Sequence, residues 1–237
     1  MQKTLKKYFP VFLLPTVIAF CIAFIIPFVT GLYLSFCDFT TVSNAKFVGF
    51  ANYIKAFSSS QRFGQAFGFT TLFTIISIIT VNIIAFTLAY LLTRKIKGTN
   101  FFRTVFFMPN LIGGIVLGYT WQSMINSILA KYGTTLVADA KYGFIGLIIL
   151  MNWQMIGYMM IIYIAGLQNV PTELIEASKI DGATKWQTLR HVTIPMVMPS
   201  ITICLFLTLS NSFKLYDQNL ALTAGAPMHK TEMLALN

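Results

Sequence analysis

Ser210, Lys214 and Asp217 recur at intervals of four and three in an otherwise apolar stretch, which on a helix sets them on one face. Asn211 and Gln218 broaden that stripe on one side. A carboxylate accepts hydrogen bonds from neighbouring hydroxyls, and an ammonium donates to ring or hydroxyl oxygens, so the pair suits a sugar. One positive and one negative group leave the stripe roughly neutral, which favours an uncharged carbohydrate over a phosphate ester. Polar residues inside a membrane are costly in lipid and turn toward a cavity or another helix. A second use of the same pair stays open: Lys214 and Asp217 mark the outer interface, with the lysine snorkelling to water. In an earlier apolar stretch, Asn152, Trp153, Gln154 and Tyr158 form another polar and aromatic concentration. Gln154 and Tyr158 share a face, four residues apart. Such side chains also serve as hydrogen bonds between helices.

Reactive chemistry has no comparable set. Cys21, Cys37 and Cys204 are scattered, without a C-x-x-C pair. His191 and His229 lie in different connecting segments with no second ligand nearby, so no metal site is expected. No buried acid is paired with a histidine, which argues against a membrane-embedded enzyme. The sequence also lacks a G-x-x-x-x-G-K-[ST] phosphate loop, so any ATP chemistry belongs to another chain. An ion-driven secondary transporter is disfavoured because no acidic or histidine relay lies mid-span and no paired broken helices occupy matching halves.

The elements that must position these residues are membrane helices. Of 237 residues, 56% are hydrophobic and 10% charged, with a mean hydropathy of +0.72, too apolar for an ordinary soluble domain. A net charge of +10 could mean nucleic acid or an anionic membrane surface. The cations sit in short clusters between long apolar runs, with no basic helix interleaved with stacking aromatics, so nucleic acid is excluded as a partner. A hydrocarbon core about 30 Å thick needs roughly 20 apolar residues per helix. Five spans qualify: Val11 to Ser35, Ala66 to Thr93, Phe102 to Met124, Phe144 to Ala165 and Met196 to Tyr216. All are expected as helices, because lipid cannot satisfy an exposed backbone. The fold class is therefore an all-α integral membrane bundle, with residues 1–237 taken as one domain. The first run is too long for a secretory signal and lacks a small-residue cleavage site, so it reads as a retained anchor.

Orientation follows from the cations in short loops. With the N-terminus inside, Lys3, Lys6, Lys7, Arg94, Lys95, Lys97, Arg103, Lys179, Lys185 and Arg190 are cytoplasmic, ten of the 17. The dense cluster from Arg94 to Arg103 pins the middle of the chain. Five spans put Asn237 outside, and a sixth helix beyond it is expected to complete the bundle.

Between the fourth and fifth spans lies a polar island, residues 168–195, on the inner side. Pro171 suits a first helical turn, and Glu173 and Glu176 lie early, where the helix dipole favours negative charge. This helix is expected to end near Gly182. Thr184 with Gln187 three residues on forms a capping-box pattern that starts a second helix. Pro195 and Pro199 mark re-entry into the membrane. Ile175, Ile180, Trp186 and Leu189 are its apolar anchors. On spacing alone, an amphipathic connector resting on the membrane reads equally well.

The run Glu176, Ala177, Ser178, then Gly182, then Val192, Thr193, Ile194, Pro195 resembles the EAA loop of ABC importer permeases, E-A-A-x-x-x-G, nine residues, I-x-L-P. Ser178, Val192 and Ile194 are mild departures. The longer form, P-x-E-L-x-E-A-x-x-I-D-G-A-x-x-W-Q, including Asp181 and Ala183, is similar to the carbohydrate permeases of the maltose and glycerol-phosphate type. Leu222 to Pro227, followed by Thr231 and Glu232, resembles that group's L-T-G-G-G-P loop with T-E, from which Ala224 and Ala226 depart.

The resemblance implies a type I ABC importer permease of the plasma (inner) membrane, a non-catalytic subunit. Its implied partners are a second permease subunit, two ATP-binding subunits that hold ATP and Mg, and an extracellular substrate-binding protein. The substrate is implied to be a sugar or oligosaccharide, with a glycerol-phosphate-like compound or polyol as the alternative. Glu176, Ala177, Ser178, Asp181, Gly182 and Ala183 would dock in a cleft on the ATPase. Ser210, Lys214, Asp217, Gln154 and Tyr158 are the candidate sugar contacts, the first three because the matching face binds sugar in maltose-type permeases.

Overall fold

A computed structural model describes residues 2–58, 62–94 and 97–237, with the side chains of 2–8 and 10 outside that description. Lys95, counted above among the inner cations, lies outside it, as do the side chains of Lys3, Lys6 and Lys7. The chain divides into two compact units, Met1–Phe63 and Gly64–Asn237, where the sequence reading took it as one.

In the first unit, α1 (Gln2–Phe20) runs through a widened π turn at Cys21–Ile25 into α2 (Ile26–Leu34). A short hairpin follows, β1 (Cys37–Asp38) against β2 (Lys46–Phe47), antiparallel, with Cys37 opposite Phe47. Then comes α3 (Ala51–Ala56). Asn52 fixes the hairpin by donating from Nδ2 to the carbonyls of Ser35 and Cys37 at 3.1 and 2.8 Å. The apolar stretch Val11–Leu34 buries none of its hydrophobic window within the chain.

The second unit holds α4 (from the boundary residue in Phe63–Leu92), α5 (Thr99–Phe107), α6 (Gly114–Leu129), α7 (Ala140–Gln168), α8 (Thr172–Ile180), α9 (Lys185–Thr188), α10 (Ile194–Phe213) and α11 (Asp217–Leu222). At 30 residues, α4 is about 45 Å long, enough to cross a bilayer with tilt. α7 is the central member, burying Leu147, Leu150, Met151, Met159, Met160 and Tyr163. Glycines let its neighbours approach. A Cβ on Gly157 would collide with the Phe106 carbonyl of α5, and one on Gly166 with the Ser200 side chain of α10. Asn82 of α4 ties three helices together: its Oδ1 accepts from Tyr163 Oη at 2.7 Å, and its Nδ2 donates to Thr208 Oγ1 at 3.2 Å. This interhelical polar junction escaped the sequence reading; a lone asparagine in the middle of an apolar run was its only signal.

Among the described residues, four helical stretches are long and apolar enough to cross a membrane: Val11–Leu34, Phe63–Leu92, Ala140–Gln168 and Lys185–Phe213. They match the first, second, fourth and fifth expected spans. The third, expected as one helix over 102–124, is instead a pair, Thr99–Leu111 and Gly114–Tyr132, bent by 101°. Pro109 cannot donate to the helical ladder, and Gly113 adopts an extended backbone at ψ 140°. The fifth span also differs. Helix runs without interruption from Lys185 through Pro195 and Pro199 to Phe213. A π turn at Leu189–Thr193 lies just before Pro195, as the π turn at Cys21–Ile25 lies just before Pro27. In both places the widened turn relieves the clash and the missing N–H that a proline imposes.

Candidate functional site

The polar island folds as two helices closed on each other. α8 ends in a Schellman arrangement: Gly182 N–H donates to the Lys179 carbonyl at 3.1 Å and Ala183 N–H to the Ser178 carbonyl at 2.9 Å. Gly182 sits at φ +78°, in the left-handed region that favours glycine. α9 opens with the capping box read from the sequence, Thr184 N–H donating to Gln187 Oε1 at 2.8 Å and Gln187 N–H to Thr184 Oγ1 at 3.3 Å. Ser178 Oγ and Thr188 Oγ1, both buried, meet at 3.0 Å across the turn. Caps at the two helix ends that face the turn and a hydroxyl clamp between them make the segment a stiff corner, and α9 continues through the π turn into α10.

The four apolar anchors divide. Ile175 packs against the core and Leu189 is half-buried, while Ile180 and Trp186 are 86% and 65% exposed. Glu176, Ala177 and Asp181 are exposed as well, and Glu176 has no side-chain hydrogen bond or ion pair among the described residues. Ser178, Asp181, Gly182 and Ala183 line a hollow of about 290 Å³ with Gln187, Thr188, His191 and Val192. The corner thus presents an exposed apolar pair, Ile180 and Trp186, beside the exposed carboxylates of Glu176 and Asp181.

A second polar locus lies between the middle of α7 and the far end of α10. Gln154 Oε1 accepts from Gln218 Nε2 at 2.8 Å, and Gln154 Nε2 donates to the Ile112 carbonyl at 3.4 Å. Gln154, Gln218, Asn110, Asn211 and Lys214 line a cavity of about 180 Å³, together with Met151, Met155 and Leu215. The expected helical stripe does not survive intact. α10 stops at Phe213, Lys214 caps it through N–H donation to the Ser210 carbonyl at 3.2 Å, and Asp217 begins the separate helix α11. Lys214 reaches the cavity; Ser210 and Asp217 do not line it. Tyr158 does not line it either, packing instead against the hydrophobic core. Asn110 was missed, because it lies in the bent connection that the sequence reading treated as continuous helix.

The bend is what assembles the cavity. α6 and α11 are in close contact through Gly114 and Gly118, whose added Cβ atoms would lie 2.8 Å from Asp217 Cβ and 2.5 Å from Ala221 Cβ. That spacing is the small-xxx-small pattern of membrane helix packing. Beyond α11, the loop Thr223–Glu232 is organised by buried Asn219, which donates to Thr223 Oγ1 and to the Thr231 carbonyl and accepts from Met233 N–H at 3.1 Å. Ala224 sits in this loop at φ +46°.

Residues 99–236, which contain both loci, match the family described as Binding-protein-dependent transport system inner membrane component. The chain belongs to that family. As an ABC importer permease it is a non-catalytic membrane subunit. It is 43% identical over 234 residues to the probable starch degradation products transport system permease protein AmyD of Thermoanaerobacterium thermosulfurigenes, covering 95% of this chain and 80% of that one. It is 32% identical to the multiple sugar-binding transport system permease protein MsmF of Streptococcus mutans, over 100% and 85% of the two chains. A bacterial ABC transporter involved in import of the acidic polysaccharide alginate has the same fold, with a TM-score of 0.72 at 22% identity over 93% of this permease and 82% of that chain. The alginate transporter in complex with its pentasaccharide-bound periplasmic protein gives 0.75 at 20% identity, over 98% and 81%.

Proposed function

We propose that this permease imports a neutral sugar or oligosaccharide delivered by an extracellular binding protein, and that α8 and α9 receive the power stroke. In this reading the N-terminus is cytoplasmic, so the corner between α8 and α9 faces two ATPase subunits, which hold the ATP and Mg. A second, related permease completes the path. Ile180 and Trp186 fill an apolar cleft on the ATPase, and Glu176 meets a cation there. Because α9 is continuous with α10, a displacement of the corner is carried straight to the cavity where α10 ends. Gln154, Gln218, Asn110 and Asn211 supply amide donors and acceptors, and Lys214 a charged donor, to sugar hydroxyls.

The observation that carries the reading is a stiff, exposed helical corner in a chain 43% identical to a permease named for starch degradation products. Co-purifying the transporter with its binding protein and measuring ATP hydrolysis tests it. Maltooligosaccharide-loaded binding protein is expected to stimulate hydrolysis well above the unloaded protein. Hydrolysis indifferent to every maltooligosaccharide offered would overturn the substrate class.

A further inference from the structure

Away from both loci, α5 and α7 border an open hollow of about 350 Å³, lined by Arg103, Thr104 and Phe107 of α5 and Ile161, Ile164, Ala165 and Gln168 of α7. Phe107, Ile161, Ile164 and Ala165 make most of its wall apolar, Thr104 and Gln168 are its neutral polar members, and Arg103 is its one charge. Arg103 is half-buried, and its Nε is buried with no hydrogen-bond partner among the described residues. Neither α5 nor α7 carries an aspartate or glutamate to compensate it. All seven acidic residues of the chain lie in other segments. On the other faces of α5, Phe101, Phe102, Val105 and Met108 are exposed apolar side chains, as suits a helix beside hydrocarbon. A guanidinium there is costly without a counter-anion.

Depth and composition fix the kind of anion. Arg103 lies one turn from the start of α5, about 6 Å along its axis, and follows the cations Arg94 and Lys97 in the sequence, a basic cluster that suits the headgroup level. Arginine recognises phosphate with a planar fork of donors, and the Phe107, Ile161 and Ile164 walls suit a hydrocarbon chain. We infer that the α5–α7 hollow binds an anionic phospholipid, with its phosphodiester on Arg103 and an acyl chain along Ile161 and Ile164. Under the orientation proposed above, this lipid belongs to the inner leaflet. It would sit beside Gln168, the last residue of α7, three residues before the segment that leads into α8.

Native mass spectrometry of the purified full transporter in detergent tests this without assuming an orientation or a transported substrate. Phosphatidylglycerol is expected to be retained in preference to phosphatidylcholine. Arg103→Gln is expected to weaken that retention about tenfold, the low end of the loss of a hydrogen bond to a charged group. Ile161→Trp, which fills the hollow and leaves the arginine in place, is expected to do the same. Arg94→Gln, a surface cation that stacks on Tyr90, is expected to leave it unchanged. Three results would overturn the inference: Arg103→Gln retaining the lipid as the unmodified protein does, Arg94→Gln losing it equally, or inorganic phosphate displacing it, which would mark a simple anion site.

Discussion

Ser178 Oγ lies 3.0 Å from Thr188 Oγ1, and the two hydroxyls meet in a buried position across the Gly182 turn. The position is one where the EAA pattern carries alanine, so the serine adds a bond between the two helices. Ser178→Ala leaves Thr188 Oγ1 buried without this partner, at a cost of about 1 kcal/mol. Local opening of residues 172–188 should rise about fivefold, read as faster amide hydrogen exchange confined to that segment. Unchanged exchange would mean the clamp contributes nothing to stiffness.

Gly182 is held at φ +78° with open space around its missing Cβ. A side chain there meets no neighbour; its cost is purely conformational, about 1–2 kcal/mol for an L-residue in the left-handed region. Gly182→Val is expected to insert and assemble but to hydrolyse ATP with little uptake, because the corner no longer holds its angle. Gly182→Asn should be milder, since asparagine tolerates this region. A bulky residue at Glu176 should uncouple in the same way by lifting the docked face. Normal sugar uptake per ATP in both Gly182→Val and Glu176→Trp would refute the coupling role.

The helical corner at Gly182 was legible because its signals are local: a capping box, a glycine stop and a first-turn acid each act within four residues. The polar cavity was only half legible. Gln154, Lys214 and Gln218 stood out as polar residues in apolar runs, but helical periodicity carried Asp217 onto the same face, and that periodicity ends at Phe213. The bend at Pro109–Gly114 was hidden because its residues are apolar enough for a span, so hydropathy reads through a break that backbone chemistry imposes. The hub at Asn219 depends on partners up to 14 residues away and has no local signature.

The broken stripe gives a test that separates the two readings of the cavity. Lys214→Met removes a charged donor from the lining and should raise the KM for ATP-driven sugar uptake in proteoliposomes about tenfold. Asp217→Asn should leave KM within about twofold, because Asp217 is exposed and off the cavity. Equal losses from both would restore a continuous polar face.

Ala224 adopts φ +46° where the related loop pattern has glycine. The left-handed strain of about 1–2 kcal/mol is relieved by glycine, against about 0.5–1 kcal/mol of added chain entropy. Ala224→Gly is therefore expected to stabilise the second unit by about 0.5 kcal/mol, seen as a small rise in the thermal midpoint in detergent. A fall would show that the alanine methyl makes compensating contacts in the loop.

Gly157 and Gly166 both lie where α7 meets a neighbouring helix, yet they should answer differently to the same methyl group. At Gly157 the obstacle is the carbonyl of Phe106, backbone held in α5, with the Phe107 amide behind it. Backbone cannot rotate away, so α5 must shift, and overpacking of this kind costs about 1–3 kcal/mol or more. At Gly166 the nearest atom is the Ser200 hydroxyl, which can change rotamer, although Ser200 Cβ and Val197 Cγ1 remain at 2.9 and 3.2 Å. Gly157→Ala should therefore lower the yield of folded permease far more than Gly166→Ala, measured by size-exclusion of the detergent-solubilised protein. The α5–α7 hollow provides an internal check, since a shifted α5 carries Arg103 with it and should reduce phosphatidylglycerol retention in whatever protein still folds.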